Sequence, residues 1–155
     1  MLKNFFGALW RFLPGKVRRR AVRLGQKRFT VTAGALIFDE QGRILLLEHV
    51  FRPDSGWGLP GGFLSQGEQP EAALRRELLE EIGLEVSDVE LVLIRTLRRL
   101  PQVEMYFRAT PIGRPNPCSF EIKRAEWFDL DALPNELSQD QRRLIKRALS
   151  ENSRQ

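Results

Sequence analysis

The stretch 61–84, GGFLSQGEQPEAALRRELLEEIGL, constrains this chain more than any other. It opens as a glycine-rich turn and closes as a helix crowded with glutamates. Pro70 suits a first helical position, where its missing N–H costs little, and Gly83 suits a left-handed cap just past the last turn. Between them Leu74, Leu78 and Ile82 recur every four residues, the apolar stripe of a half-buried helix. At roughly 100° per residue, Glu77, Glu80 and Glu81 share an arc of about 100° beside that stripe. Three carboxylates are therefore held together at the edge of a core.

Such a cluster is unfavourable by itself, because like charges three and four residues apart repel and partial desolvation raises the cost. Arg76 stands one turn before Glu80 and neutralises only part of it. A solvated acidic face is the ordinary reading of a glutamate-rich helix. A hard divalent cation is the other resolution, since Mg²⁺ takes oxygen ligands and needs few of them from protein. The glycine-rich turn just upstream favours the cation.

The spacing carries a further signal. Gly62, then five residues, Glu68, then seven residues, then Arg76-Glu77-Leu78-Leu79-Glu80-Glu81-Ile82-Gly83-Leu84 resembles the Nudix box at every defined position. Seven fixed residue types at about 7% each coincide by chance on the order of once in 10⁸. The flanking strand pattern extends the resemblance to roughly residues 30–150.

The resemblance implies a Nudix-type α/β/α sandwich around a central mixed sheet, and hydrolysis of a nucleoside diphosphate linked to another moiety. Candidate substrates are a nucleoside triphosphate, a sugar nucleotide or ADP-ribose. By position, Glu77, Glu80 and Glu81 would bind Mg²⁺, with Mn²⁺ as a substitute, and Gly61 would add its carbonyl. Arg76 would orient the glutamates, and Glu68 would brace the loop and helix from its far end. A further carboxylate from late in the chain is expected, with Glu121 the choice and Glu104 and Glu126 the alternatives. Three other readings stay open: a membrane-recruited hydrolase of a lipid-linked diphosphate, an RNA 5′-end pyrophosphohydrolase, and an inactive Nudix-fold binding module. The intact set of Arg76, Glu77, Glu80 and Glu81 argues against the last.

A Walker-type nucleotide site is excluded, as no GxxxxGK[ST] pattern exists, and a lone histidine makes no catalytic triad. Net charge of +5 would suggest a nucleic-acid partner, but the charge is segregated. Residues 1–30 hold nine basic side chains and no acidic ones, leaving 16 basic and 20 acidic residues in the rest. Nucleic acid is thus not the expected substrate. The division is 1–28, a basic amphipathic extension, and 29–155, the catalytic domain.

In 1–13 (MLKNFFGALWRFL) the apolar residues fall at largely helical spacing, and the run is too short to span a bilayer. Pro14-Gly15 ends it, and a basic segment through Arg28 follows. Aromatic and aliphatic bulk beside clustered arginine suits an interfacial helix on anionic lipid. Docking on its own domain, or on a second copy in a homodimer, is the plainer reading. The single cysteine, Cys118, excludes an internal disulfide and fits a cytoplasmic protein, with membrane association through the extension as the variant.

Along the domain, 31–38 and 43–48 read as a hairpin across the turn at Asp39–Gly42, with His49 and Arg52 at its mouth as substrate contacts. Trp57 and Leu59 read as core. Strands at 89–97 and 103–109 follow, joined by a tip whose Arg98 and Arg99, with Arg95, form a positive rim; Tyr106 is another substrate candidate. A strand at 120–128 and a helix capped by Ser138, with Gln141 three residues on, complete the chain.

Overall fold

Strands that are apolar on both faces need cover on both sides, and two helices supply it here. The computed structural model describes residues 10–11, 13–51 and 56–152. Its elements are α1 (Gly15–Gly25), β1 (Thr30–Ile37), β2 (Ile44–His49), β3 (Trp57–Gly58), β4 (Gly61–Phe63), α2 (Pro70–Ile82), β5 (Glu85–Thr96), β6 (Gln102–Ile112), β7 (Ile122–Phe128) and α3 (Gln139–Asn152). The first helix expected from sequence, over 1–13, falls mostly outside the described residues. The basic segment after Pro14 is itself a helix, α1.

A four-stranded sheet runs β4-β1-β6-β5 and a three-stranded one β3-β2-β7. β1 and β6 pair in parallel from Thr30↔Gln102 to Ile37↔Ala109, while every other pairing is antiparallel. The expected hairpin of β1 with β2 does not form. The turn closes, with the Gly42 N–H donating to the Asp39 carbonyl at 3.0 Å, but beyond a single Phe38↔Ile44 bridge the two strands part into different sheets. β1 takes its partners from β4 and β6 instead, because residues of either parity in it are apolar and it sits between two neighbours.

The alternation is visible in the packing. Ala33, Ala35 and Ile37 of β1, Leu45 and Leu47 of β2 and Phe107 of β6 face α2 through Ala73, Leu74, Leu78 and Ile82. Leu36, Ile44, Leu46 and Tyr106 face the other way, with Trp57 and Leu59, onto Leu144, Ile145 and Ala148 of α3. The result is an α/β/α sandwich with a mixed central sheet. Each fully buried leucine or isoleucine in α2 contributes about 1.5–3 kcal/mol of apolar burial.

α2 ends as its sequence predicts. Pro70 opens it, Gly83 is left-handed at φ 58°, and the Gly83 and Leu84 N–H groups donate to the Leu79 and Leu78 carbonyls at 3.0 and 3.2 Å. In α3 the Ser138 hydroxyl accepts the Gln141 N–H at 3.2 Å. The Gln141 side chain does not return to the cap; its carbonyl oxygen takes the Leu59 N–H at 2.9 Å and ties α3 to the segment before β4. α1 buries no residue.

Candidate active site

β4 and α2 meet edge to face, and two glycines set how closely. Gly61 has φ 134°, and a Cβ there would stand 2.2 Å from the Ala33 carbonyl oxygen of β1. A Cβ on Gly62 would stand 2.3 Å from the Glu77 carboxyl carbon. The first glycine lets β4 lie against β1; the second leaves room for a carboxylate.

Arg76 is the hub beneath. Its Nε and Nη2 donate to the two carboxylate oxygens of Glu68 at 2.9 and 3.0 Å, a bidentate pair. Nη1 donates to Glu77 Oε1 at 2.8 Å and Glu80 Oε2 at 3.1 Å, and Nη2 also reaches the Phe63 carbonyl at 3.1 Å. Glu68 accepts the Ser65 N–H at 2.8 Å as well, so it fastens the loop to the arginine. The Arg76 guanidinium, and then the Ser65 N–H, hold the Glu68 carboxyl down at about 2. Glu68 in return, followed by Glu77, drives the guanidinium further up from an already high value.

Glu81 is the one charged side chain buried among the described residues, 8% exposed. Burying a carboxylate is costly, and it is tolerated where a charge or ligand compensates. Glu81 Oε2 lies 3.4 Å from the Gly61 N–H. Past the helix end, the loop before β7 folds over the C-terminal carbonyls of α2. The Asn116 N–H donates to the Ile82 carbonyl at 2.8 Å and the Cys118 N–H to the Glu81 carbonyl at 3.0 Å. The exposed Cys118 thiol lies 3.3 Å from the Glu80 carbonyl, so this residue helps finish the helix. The same loop delivers Glu121, whose carbonyl accepts the Val50 N–H at 2.8 Å.

One cleft of about 290 Å³ results, lined by His49, Phe51, Gly61, Gly62, Phe63, Glu77, Glu81 and Glu121. A loop carboxylate some forty positions from the helix thus opens onto the same space as two helix carboxylates and a glycine-rich strand.

Residues 28–148 match the NUDIX domain. The chain belongs to the Nudix family. That family's hydrolases act on phosphorus-containing anhydrides. The chain is 34% identical over 116 residues to an ADP-ribose pyrophosphatase of Methanocaldococcus jannaschii, covering 71% of this chain and 68% of that protein. It is 32% identical over 108 residues to nucleoside diphosphate-linked moiety X motif 6 of Xenopus laevis, covering 65% of this chain and only 50% of that relative. The solved MutT NUDIX hydrolase of Burkholderia pseudomallei superposes with a TM-score of 0.69 at 30% identity, over 77% of this chain and 98% of that one.

Within this Nudix domain the remaining residues singled out from sequence scatter. Glu80 stands at the outer edge beside Arg76 and is not among the cleft's lining residues. Arg52 lies outside the described residues. Arg95 does not join Arg98 and Arg99 in a rim; it pairs with Glu104 and Asp140, both at 2.6 Å, and its guanidinium lies 5.8 Å from the Tyr106 ring centre. Register explains the change, since Arg95 is directly opposite Glu104 in the β5–β6 ladder. Tyr106 is buried, and that burial first, then the Glu104 charge, pushes its phenol well up. Of the late-chain alternatives, Glu104 belongs to this network and Glu126 pairs with Arg124 at 3.1 Å.

Sequence reasoning did not select Phe51 and Phe63 as cleft residues. Both are more than half exposed, unusual for phenylalanine, and Phe51 meets Phe120 edge-on with ring centres 6.0 Å apart. Phe63's place directly after the paired glycines was the available signal. A second recess of about 170 Å³, which takes in Thr32, Gln102, Glu104, Tyr106 and Gln141, adjoins the cleft through Gly61, Gly62 and Phe63.

Proposed function

We propose that this chain is a Mg²⁺-dependent pyrophosphohydrolase that cleaves a nucleoside diphosphate linked to another moiety. The observation that carries the reading is the convergence of Glu77, Glu81 and Glu121 with Gly61 on one cleft. The donor set is all oxygen, which fits a hard cation. Among the described residues no three carboxylate, imidazole or thiol side chains form a ready-made cage. Mg²⁺ suits such an open site, because it binds oxygen and completes its octahedral shell with waters and substrate phosphates.

Glu77, Glu81 and Glu121 would hold the ion, with the Gly61 carbonyl, and Glu80 would join from the edge. When bound, the cation offsets charge on phosphate oxygens and lowers the pKa of bound water. Arg76 keeps Glu77 and Glu80 in a fixed orientation, and Glu68 keeps Arg76 in place. The cleft carboxylates are the groups positioned to take a proton from attacking water. Phe51 and Phe63 narrow the mouth against bulk water and offer ring faces to the rest of the substrate. The adjoining recess, with hydroxyl and carboxamide groups from Thr32, Gln102 and Gln141, suits a small polar moiety better than a long polymer. ADP-ribose, the substrate class named for the archaeal relative, is therefore the first compound to assay.

The test is product release from ADP-ribose, nucleotide sugars, nucleoside triphosphates and 5′-triphosphorylated RNA in Mg²⁺, for wild type and Glu81→Gln. We expect turnover of a small diphosphate, and a loss in kcat of about 10²- to 10⁴-fold in the variant. No turnover of any compound, or turnover indifferent to the substitution, would overturn the reading.

A further inference from the structure

Among the described residues, two groups of cations stand in contrast. Arg43, Arg75, Arg76, Arg95 and Arg124 are all in ion pairs. Lys16, Arg18, Arg19, Arg20 and Arg23 of α1, then Lys27 and Arg28, then Arg98 and Arg99 of the β5–β6 tip, form none among the described residues. Sequence alone separates the last two from the others by some seventy positions. The fold joins them.

Thr30 donates its N–H to the Pro101 carbonyl at 2.9 Å, and β1 enters the sheet beside Gln102. The end of the N-terminal extension is thereby fastened to the hairpin tip. Between them lies a groove of about 510 Å³ whose walls include Lys27, Arg28 and Phe29 on one side and Arg98, Arg99 and Leu100 on the other. Phe29 and Leu100 are 51% and 58% exposed. On α1, Val17, Ala21 and Leu24 fall on one helical stripe, and Leu24 is 82% exposed. Exposed apolar side chains interleaved with unpaired cations thus run from α1 to the tip.

We infer that α1, the 27–29 segment and the 98–100 tip form one surface that docks on an anionic lipid bilayer. Arginine and lysine match the phosphate and carboxylate headgroups, while leucine, valine and phenylalanine find cover at the acyl boundary. A second copy of the chain fits poorly, since residues 1–30 carry only positive charge and would meet their like across such an interface. A nucleic acid explains the arginines but leaves Leu24, Leu97 and Leu100 unaccounted for; single-strand sites rely on aromatic platforms, and Phe29 is the groove's one aromatic. The surface also lies near the catalytic end of the sheet. Thr32, two residues into β1 from Thr30, is paired with Phe63 at the cleft mouth. Docking would hold the cleft close to the bilayer.

The experiment is flotation of the full chain with phosphatidylcholine vesicles, with and without phosphatidylserine, for wild type, Arg98→Ala/Arg99→Ala and Leu100→Ser. Wild type should float only with the anionic vesicles. Each basic residue near an anionic surface changes partitioning about fivefold, so the double variant should bind about 30-fold more weakly. Leu100→Ser should lower binding several-fold at unchanged charge. Thermal midpoints check folding, and Lys27→Ala/Arg28→Ala tests the same groove from its other wall. Equal binding to both vesicle types, or binding indifferent to the tip and to Lys27 and Arg28, would overturn the proposal. So would tighter binding to single-stranded RNA with no effect of Leu100→Ser, or a dimer that the tip substitutions dissociate.

Discussion

α1 and α2 are helices of similar length, 11 and 13 residues, both crowded with like charge, and they solve that problem in opposite ways. α2 buries Leu74, Leu78 and Ile82 completely and threads its glutamates through Arg76. α1 buries nothing, and among the described residues its cations form no ion pair. Charge that is organised around an internal counter-ion and anchored to a core builds a site. Charge without either is a surface waiting for something outside the chain.

The contrast is sharpest in stability. Leu78→Ala should cost about 2–5 kcal/mol in a denaturant titration, because a fully buried leucine leaves a cavity. Val17→Ala should stay within about 0.5 kcal/mol, since that side chain is 46% exposed. Comparable losses would mean that α1 docks on the domain and is no free surface.

A smaller effect should appear at Gly62. Its alanine variant places a methyl group on the Glu77 carboxylate, which must turn away from the cleft. Displacement of about 1 Å costs on the order of 10²-fold in kcat. The thermal midpoint should move far less than for Leu78→Ala, and a fall in both together would make Gly62 a packing residue only.

The smallest effect concerns acid. In the unfolded chain Glu68 titrates near 4.5, and in the folded protein the Arg76 bonds hold it at about 2. A depressed folded value stabilises the protein above the unfolded value and is lost as pH falls from 4.5 towards 2. Denaturant midpoints of wild type should therefore drop through that window, and those of Glu68→Gln should drop less steeply. Parallel curves would remove Glu68 from the hub.

Local chemistry was legible in the sequence and partner choice was not. Pro70 and Gly83 bounded α2, and Ser138 marked the start of α3, because caps depend on residues within a turn. The apolar parity of 31–38 and 43–48 identified two strands, but the Asp39–Gly42 turn reads the same whether the strands then pair or part. β1 parted to take β6, seventy residues on, and nothing near residue 31 encodes that. Arg95 failed for the same reason: its acceptors Glu104 and Asp140 arrive by sheet register and by α3. Asp140 sits in the first turn of that helix. Glu77 and Glu81 were readable as a pair by helical period, whereas Glu121 rested on the family resemblance alone. Its place in the cleft depends on a loop that caps α2, a relation with no signature in the residues themselves.

In the proposed mechanism Glu77, Glu81 and Glu121 open onto a single cation site. The most direct measurement is Mn²⁺ affinity by water-proton relaxation, on wild type and on Glu121→Gln, with no substrate present. Losing this distant carboxylate should weaken binding about tenfold or more, since it would be one of few protein ligands. Affinity unchanged from wild type would contradict it, and would leave Glu121 a neighbour of the cleft with no part in holding the ion.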